Sequence, residues 1–185
     1  SYVIGLAIGD GNLSNPNLRA VRLRITCDTK YPNLLNRVVK SLKQLFPENR
    51  VGIVDRKTCV DVSIHSNHLE NLLSWKAKMG PKFIQKVRIP NWIKIDKCYT
   101  SNCLRGLLET DGSVYLDRGY RMVIFSTIIV ELADDVLALF QSLGYKPNLY
   151  KIRQKQNRYG IGHKYQVRLS KNVDKFIDFV GLDKS

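Results

Sequence analysis

The sequence predicts an α/β protein of the α+β type, made of two similar αββαββα halves related by a pseudo-two-fold. Three observations predict it. Val3–Gly11 and Leu104–Gly112 are both apolar stretches of helical character ending in Asp-Gly, with Asp10 and Asp111 101 residues apart. After each of them strand-like and helical patterns follow in the same order, and Ile25 and Ile124 sit at nearly the same offset, as in a diverged internal duplication. The chain has 185 residues and is 44% hydrophobic, enough to bury a real core in one domain or two small ones sharing an interface.

The elements justify themselves in order. Tyr2–Ile8 is helical and is broken by Asp10-Gly11-Asn12. From Arg19 to Cys27 apolar Val21, Leu23 and Ile25 alternate with Arg22, Arg24 and Thr26, the period of a half-exposed strand. Leu34, Leu35, Val38, Val39, Leu42 and Leu45 recur at helical spacing up to Pro47. Strands near Val51–Asp55 and Cys59–His65 and a helix from Asn67 to about Trp75 complete the first half, 1–78. A connecting stretch, 79–98, is punctuated by Gly80-Pro81 and Pro90. In the second half, 99–185, Leu104–Glu109 is helical, strands lie around Val114 and over Tyr120–Ser126, and a helix runs from Val130 to Leu143, where Gly144 stops it. Strands near Lys146–Arg153 and Lys164–Ser170 precede a last helix, Val173–Val180.

Charge narrows the function. Thirty Lys and Arg against 16 Asp and Glu leave a net charge of +14, an excess that calls for a polyanionic partner. No apolar run approaches the ~18 residues of a membrane span, and the positive charge lies on strands rather than on a basic amphipathic helix, which argues against a membrane surface. Cys27, Cys59, Cys98 and Cys103 show no metal-binding spacing, so the reading is a reduced, intracellular protein. His65 and His68 lie three apart and would share a helical face, where polar residues at a helix start explain them better than a metal does.

The two Asp-Gly helix ends carry the chemistry. Gly5 and Gly9, and Gly106 and Thr110, are small residues four apart that let two helix backbones approach closely. The glycine after each Asp suits a left-handed turn beyond the helix. An Asp at a helix C-terminus faces the negative end of the dipole, at a cost of roughly 0.3–1 kcal/mol. Two such carboxylates converging on a pseudo-two-fold want a cation between them. Hard oxygen donors suit Mg²⁺, which is held by one or two carboxylates together with waters and substrate phosphates.

At these residues the sequence resembles the LAGLIDADG homing endonucleases, in the compact single-chain form with two motifs: LRGLLETDG is a close match, VIGLAIGDG a looser one. Met79-Gly80-Pro81-Lys82 followed by Ile89-Pro90-Asn91-Trp92-Ile93 is similar to the segment between the family's repeats. The resemblance implies curved antiparallel sheets that form a DNA-binding saddle, and a monomer that cuts both strands of a long duplex site. It implies that Asp10 and Asp111 bind the divalent ion, with the backbone carbonyls of Gly9 and Thr110 in support. Mg²⁺ or Mn²⁺ would serve cleavage, and Ca²⁺ would bind without supporting it. Lys82, and Lys184 in Gly181-Leu182-Asp183-Lys184, become the candidate catalytic lysines. Glu109 is read as a helix-face residue without chemistry.

The strands supply the reading surface. Arg22, Arg24 and Thr26 share one face of the first strand; Lys164, Gln166 and Arg168 share one face of another, opposite Tyr165, Val167 and Leu169. Arg, Lys, Gln and Thr are the side chains that pair with base edges. The hairpin from Lys151 to Lys164, with Lys151, Arg153, Lys155 and Arg158, is expected to grip phosphates. A strand of seven residues spans about 23 Å, so two such sheets follow a long duplex site. The competing reading is an RNA-splicing maturase or a DNA-binding regulator on the same fold, with little or no cleavage.

Overall fold

The computed structural model describes residues 1–16, 18–156 and 160–183. Its elements run α1 (Tyr2–Asp10), β1 (Gly11–Ser14), β2 (Val21–Asp28), α2 (Pro32–Leu45), β3 (Gly52–Arg56), β4 (Cys59–Ser66), α3 (Leu69–Leu72), α4 (Asn91–Lys94), α5 (Lys97–Thr110), β5 (Gly112–Asp117), β6 (Tyr120–Thr127), α6 (Val130–Ser142), β7 (Asn148–Arg153), β8 (His163–Leu169) and α7 (Val173–Val180). They form two four-stranded antiparallel sheets with the same topology, β1-β2-β4-β3 and β5-β6-β8-β7. The helices cover one face of each sheet, and a single apolar core runs through both halves.

Helices α1 and α5 pack along each other where the halves meet. Glycine makes the contact. A Cβ on Gly5 would stand 2.3 Å from the Cys103 carbonyl oxygen, and one on Gly106 would stand 2.4 Å from that of Tyr2. Side chains would hold the backbones apart, so the small-residue spacing in both helices sets how closely they lie.

The alternation in β2 predicts its burial. Val21, Leu23, Ile25 and Cys27 are buried, and Arg22, Arg24 and Thr26 are half-exposed on the other face. Helix α5 begins two turns before the apolar pattern shows, because Lys97–Asn102 is polar; Asp96 caps it by accepting from the Tyr99 N–H at 2.8 Å. Helix α6 ends before Gly144, whose φ of +87° is left-handed.

Four expectations are corrected. The helix expected over Asn67–Trp75 is one turn only, α3. Leu73 and Trp75 both enter the core two residues apart, which needs extended backbone, and the Glu70 carboxylate accepts from the Ala77 N–H at 2.7 Å. His65 and His68 therefore share no helix face: one lies on β4, the other before α3. Gly11 is extended, at φ −78°, and Gly112 is not left-handed either. Their need is space, since a Cβ on Gly11 would meet the Ala7 carbonyl oxygen at 2.3 Å and one on Gly112 that of Leu108 at 2.5 Å. Finally, the counterpart of Ile25 is Phe125 rather than Ile124, because Gly11 pairs with Ile25 and Gly112 with Phe125. The second hairpin is one residue shorter.

The connection between the halves is tied down by Asp135 of α6, which is 3% exposed. Burial raises its pKa, but hydrogen bonds from Arg88 (2.7 Å), Lys94 (2.7 Å) and the Ile89 N–H (2.8 Å) outweigh this and hold it below the usual carboxylate range. Asp135→Ala strands these donors and is expected to lower stability by about 3 kcal/mol in urea unfolding, the scale of breaking a buried ion pair. In the wild type this contribution is present above the carboxyl's ordinary pKa and is lost as pH falls through its lower folded value.

Candidate active site and sheet surface

The close packing of α1 and α5 brings the two Asp-Gly ends together. A Cβ on Gly9 would stand 2.0 Å from the Thr110 hydroxyl oxygen and 3.5 Å from Asp111 Oδ2, so the end of one motif lies against the end of the other. Asp10 is the last residue of α1 and Asp111 caps α5; both are exposed to solvent. The Thr110 hydroxyl turns back into its own helix, donating to the carbonyls of Gly106 (2.9 Å) and Leu107 (3.0 Å).

Lys82 arrives from the connecting stretch. Its ammonium group donates to the carbonyls of Ala7 (3.3 Å), Ile8 and Gly9, the last carbonyls of α1, and its Nζ lies 5.5 Å from the centroid of the Trp75 ring. A cation there satisfies orphan carbonyls and meets the negative end of the helix dipole. Burial pushes its pKa down to about 8, against the attraction of Asp111 and Asp10. Asp10, Gly9, Asp111 and Lys82 thus form one cluster. Lys184 lies outside the described residues.

The sign of the resulting pH dependence follows. Between pH 8 and the ordinary lysine value, the unfolded chain binds a proton that folded Lys82 has released, so stability rises with pH across that window. In EDTA, the stability of the wild type relative to Lys82→Met is expected to increase from pH 8 to pH 10. A flat difference would show that Lys82 keeps an ordinary pKa.

Beside Asp10 a polar hollow of about 480 Å³ opens between the β2 and β4 ends, lined by Thr26, Lys30, Lys57 and Cys59 among others. Lys30 and Lys57 escape the sequence reading because they sit in turns, where no periodicity marks a face.

Glu109 also escapes it. The side chain expected on a helix face is 1% exposed. It accepts from the Tyr2 hydroxyl, from Arg105 Nε at 2.8 Å and from Arg37 Nη2 at 3.3 Å. Arg37 also donates to the Asp183 carboxylate at 2.8 Å and to its carbonyl, so the network ties α1, α2 and α5 to the segment after α7. A run of three polar residues spread over the sequence gives no periodic signal; only the fold collects them.

The polar faces of the sheets hold most of the expected reading residues. Arg22 donates to Ser14 Oγ at 3.2 Å. Asp61, 5% exposed, accepts from Thr26 Oγ1 at 2.7 Å and Arg56 Nε at 2.6 Å, with Arg24 Nη1 at 3.9 Å. The Thr26 hydroxyl first, then Arg56 and Arg24, hold its carboxyl below the usual range against burial. Arg56 joins this face from β3, where no alternation marks it. In the second sheet, Gln166 donates to Ser126 Oγ at 3.1 Å and Arg168 to Asp117 at 2.7 Å. The register separates two expected partners from this group. Lys151 and Arg153 pair with Tyr165 and His163, and so lie on the opposite face from Lys164, Gln166 and Arg168; both are exposed on the edge strand. Lys155 is exposed beyond the strand end, and Arg158 lies outside the described residues.

Among the described residues no group of three or more His, Cys, Asp or Glu gathers to hold a metal. No helix is long and apolar enough to cross a membrane.

Comparison with known proteins agrees with this architecture. Residues 99–181 match the family described as LAGLIDADG-like domain. The chain is 27% identical over 193 residues to a DNA polymerase of Thermococcus hydrothermalis, a match covering 97% of this chain and 11% of that protein. The chain therefore spans about a tenth of the length of the curated relatives it matches. I-DmoI in complex with DNA and Ca has the same fold, with a TM-score of 0.65 at 18% identity over 97% of this chain and 86% of that one. So does full-length DUF199/WhiA from Thermatoga maritima, with a TM-score of 0.60 at 12% identity over 99% of this chain and 56% of that one. With both halves repeating one topology around the paired Asp-Gly helix ends, the chain has the two-repeat LAGLIDADG fold, and its second half matches the LAGLIDADG-like domain family.

Proposed function

We propose that the chain is a site-specific homing endonuclease that hydrolyses both strands of a long double-stranded DNA target as a monomer. The observation that carries this reading is the meeting of Asp10 and Asp111 at the ends of α1 and α5, with Lys82 beside them. The polar sheet faces, with Arg22, Arg24, Thr26, Lys164, Gln166 and Arg168, serve as the duplex-reading surface; Lys151, Arg153 and Lys155 reach phosphates from the edge of the second sheet.

The donor set suits a hard divalent cation. Two carboxylates with no third His, Cys or acid gathered beside them among the described residues leave coordination for waters and phosphate oxygens, as Mg²⁺ or Mn²⁺ prefers. Asp10 and Asp111 would hold the ion, with the Gly9 and Thr110 carbonyls in support. Such an ion supplies Lewis-acid stabilisation of phosphodiester hydrolysis. The chain's own part is to orient the two carboxylates through the helix packing and to keep a lysine cation at the α1 terminus. Lys184 is proposed as the counterpart of Lys82. I-DmoI, called a homing endonuclease, has been solved with DNA together with Ca or Mn, and a variant of it with its target DNA and Mg. That the matched DNA polymerases are far longer than this chain supports a unit carried within a host gene, as intron or intein homing requires.

One observation favours the second reading, a DNA-binding regulator or RNA maturase with little cleavage. Lys82 already places a cation on the α1 terminus, so a binder needs no metal there. Incubation with a pool of randomised long duplexes, in Mg²⁺ and in EDTA, separates the two. Mg²⁺-dependent ends sharing a long consensus establish the endonuclease. A bound duplex consensus without cut ends favours the regulator, and no duplex consensus moves the reading to RNA.

A further inference from the structure

The two sheets can be compared position by position from their hairpins. Gly11 pairs with Ile25 and Gly112 with Phe125, so Ile25 and Phe125 correspond. One step along each strand stands a cross-strand pair on the polar face: Arg24 opposite Ser63 in the first sheet, Ile124 opposite Arg168 in the second. Each sheet thus has one arginine at the same place in its lattice. In the first it comes from β2; in the second, from β8.

The arginines share their surroundings as well as their place. Each lies beside a carboxylate: Arg24 Nη1 is 3.9 Å from Asp61, and Arg168 Nη2 donates to Asp117 at 2.7 Å. In both, Nε is buried without a hydrogen-bond partner among the described residues, so the side chain is packed along its stem and presents only its terminal nitrogens. A carboxylate on a cation-rich face opposes the attraction of a polyanion, and Asp61 is nearly inaccessible besides. Its contacts explain what it does there. With Thr26 hydrogen-bonded to one oxygen and Arg56 to the other, its charge also draws Arg24 Nη1, 3.9 Å away, toward one side before any ligand arrives. Fixing a long side chain in advance lowers the entropy lost on binding, and a guanidinium in a set plane can take O6 and N7 of guanine together.

We infer that Arg24 and Arg168 are the central base readers of the two half-sites, each taking a guanine, and that Asp61 and Asp117 are the positioning residues that aim them. The inference rests on the duplex-DNA reading above and adds to it which residues set specificity.

The test is selection of bound duplexes from a randomised pool in Ca²⁺, with the wild type, Arg24→Ala, Asp61→Asn, Arg168→Ala and Asp117→Asn sequenced in parallel. Arg24→Ala and Asp61→Asn are expected to lose preference for the same guanine in one half of the consensus, by roughly tenfold or more. Arg168→Ala and Asp117→Asn should do so at one guanine in the other half, with the remaining positions unchanged. If the Asp variants weaken binding to all duplexes evenly and keep both guanines, their role is structural and the inference fails. It also fails if the arginine variants leave every base preference intact. A wild type that selects no duplex consensus overturns the DNA reading and this inference together. Should Asp61→Asn fail to fold, the more exposed Asp117→Asn and the charge-keeping Arg24→Lys carry the test: Lys lacks the planar fork, so the guanine preference should fall with it.

Discussion

Asp10→Asn and Asp111→Asn are each expected to lower Mg²⁺-dependent DNA cleavage by at least about 10²–10³-fold, the scale of removing one preorganised charge from a transition state. Duplex affinity should change little, because the two aspartates lie at helix ends and the proposed reading surface lies on the sheets. Both strands should be affected by either substitution. Asp111 Oδ2 lies close to where Gly9 would carry a side chain, so on the proposed function the carboxylates are expected to act on one shared region rather than at two separate centres. A supercoiled plasmid carrying the target distinguishes the cases, since loss of one strand cut accumulates nicked circles and loss of both leaves the plasmid intact. Nicked product from either single variant would divide the site into two independent centres. Full cleavage by both would remove the aspartates from the chemistry.

Gly5→Val is expected to destabilise the protein by on the order of 3 kcal/mol, a fall in Tm of roughly 10 °C, because overpacking here meets backbone rather than a side chain that can turn away. The nearest atoms to a Cβ at that position are the Cys103 carbonyl oxygen at 2.3 Å and the Leu107 nitrogen at 3.0 Å. Gly106→Val should do the same from the other helix, against the Tyr2 oxygen at 2.4 Å and the Leu6 nitrogen at 2.8 Å. Gly162→Ala is the control: its nearest neighbour would be 3.5 Å away, and its stability should stay within about 0.5 kcal/mol of the wild type. Calorimetry reads all three. If Gly5→Val melts like Gly162→Ala, the helix pair can separate without loss, and the small-residue spacing is not what sets the distance between the aspartates.

Much of the fold is legible in the sequence because its signals are periodic. The alternation of Val21, Leu23 and Ile25 with Arg22, Arg24 and Thr26 marks both a strand and its two faces, and β2 has that burial. The apolar positions of α2, α6 and α7 mark their helices, and Gly144 and Gly181 lie just beyond α6 and α7 in left-handed backbone. Where composition rather than period carries the signal, the structure differs from the expectation. The helix expected to run to Trp75 stops at Leu72, because the core takes Leu73 and Trp75 from an extended chain. Asp-Gly read as a left-handed turn, whereas Gly11 and Gly112 are needed for the room they leave over Ala7 and Leu108.

The sequence by itself determined the repeat, the paired Asp-Gly helix ends, the basic charge and the polar strand faces. These are local or periodic properties, written within a few residues or a fixed spacing. Only the tertiary structure decided which distant residues meet. Lys82 reaches the α1 carbonyls across more than 70 residues of chain, Glu109 collects Tyr2 and Arg37 from two other helices, and Asp61 gathers Thr26 and Arg56 on one side of a sheet. Strand register, set by hydrogen bonding between segments far apart in the chain, turned Lys151 and Arg153 away from Gln166 and Arg168. No spacing along a single segment encodes such meetings, because they depend on how the two halves and their sheets close around one core.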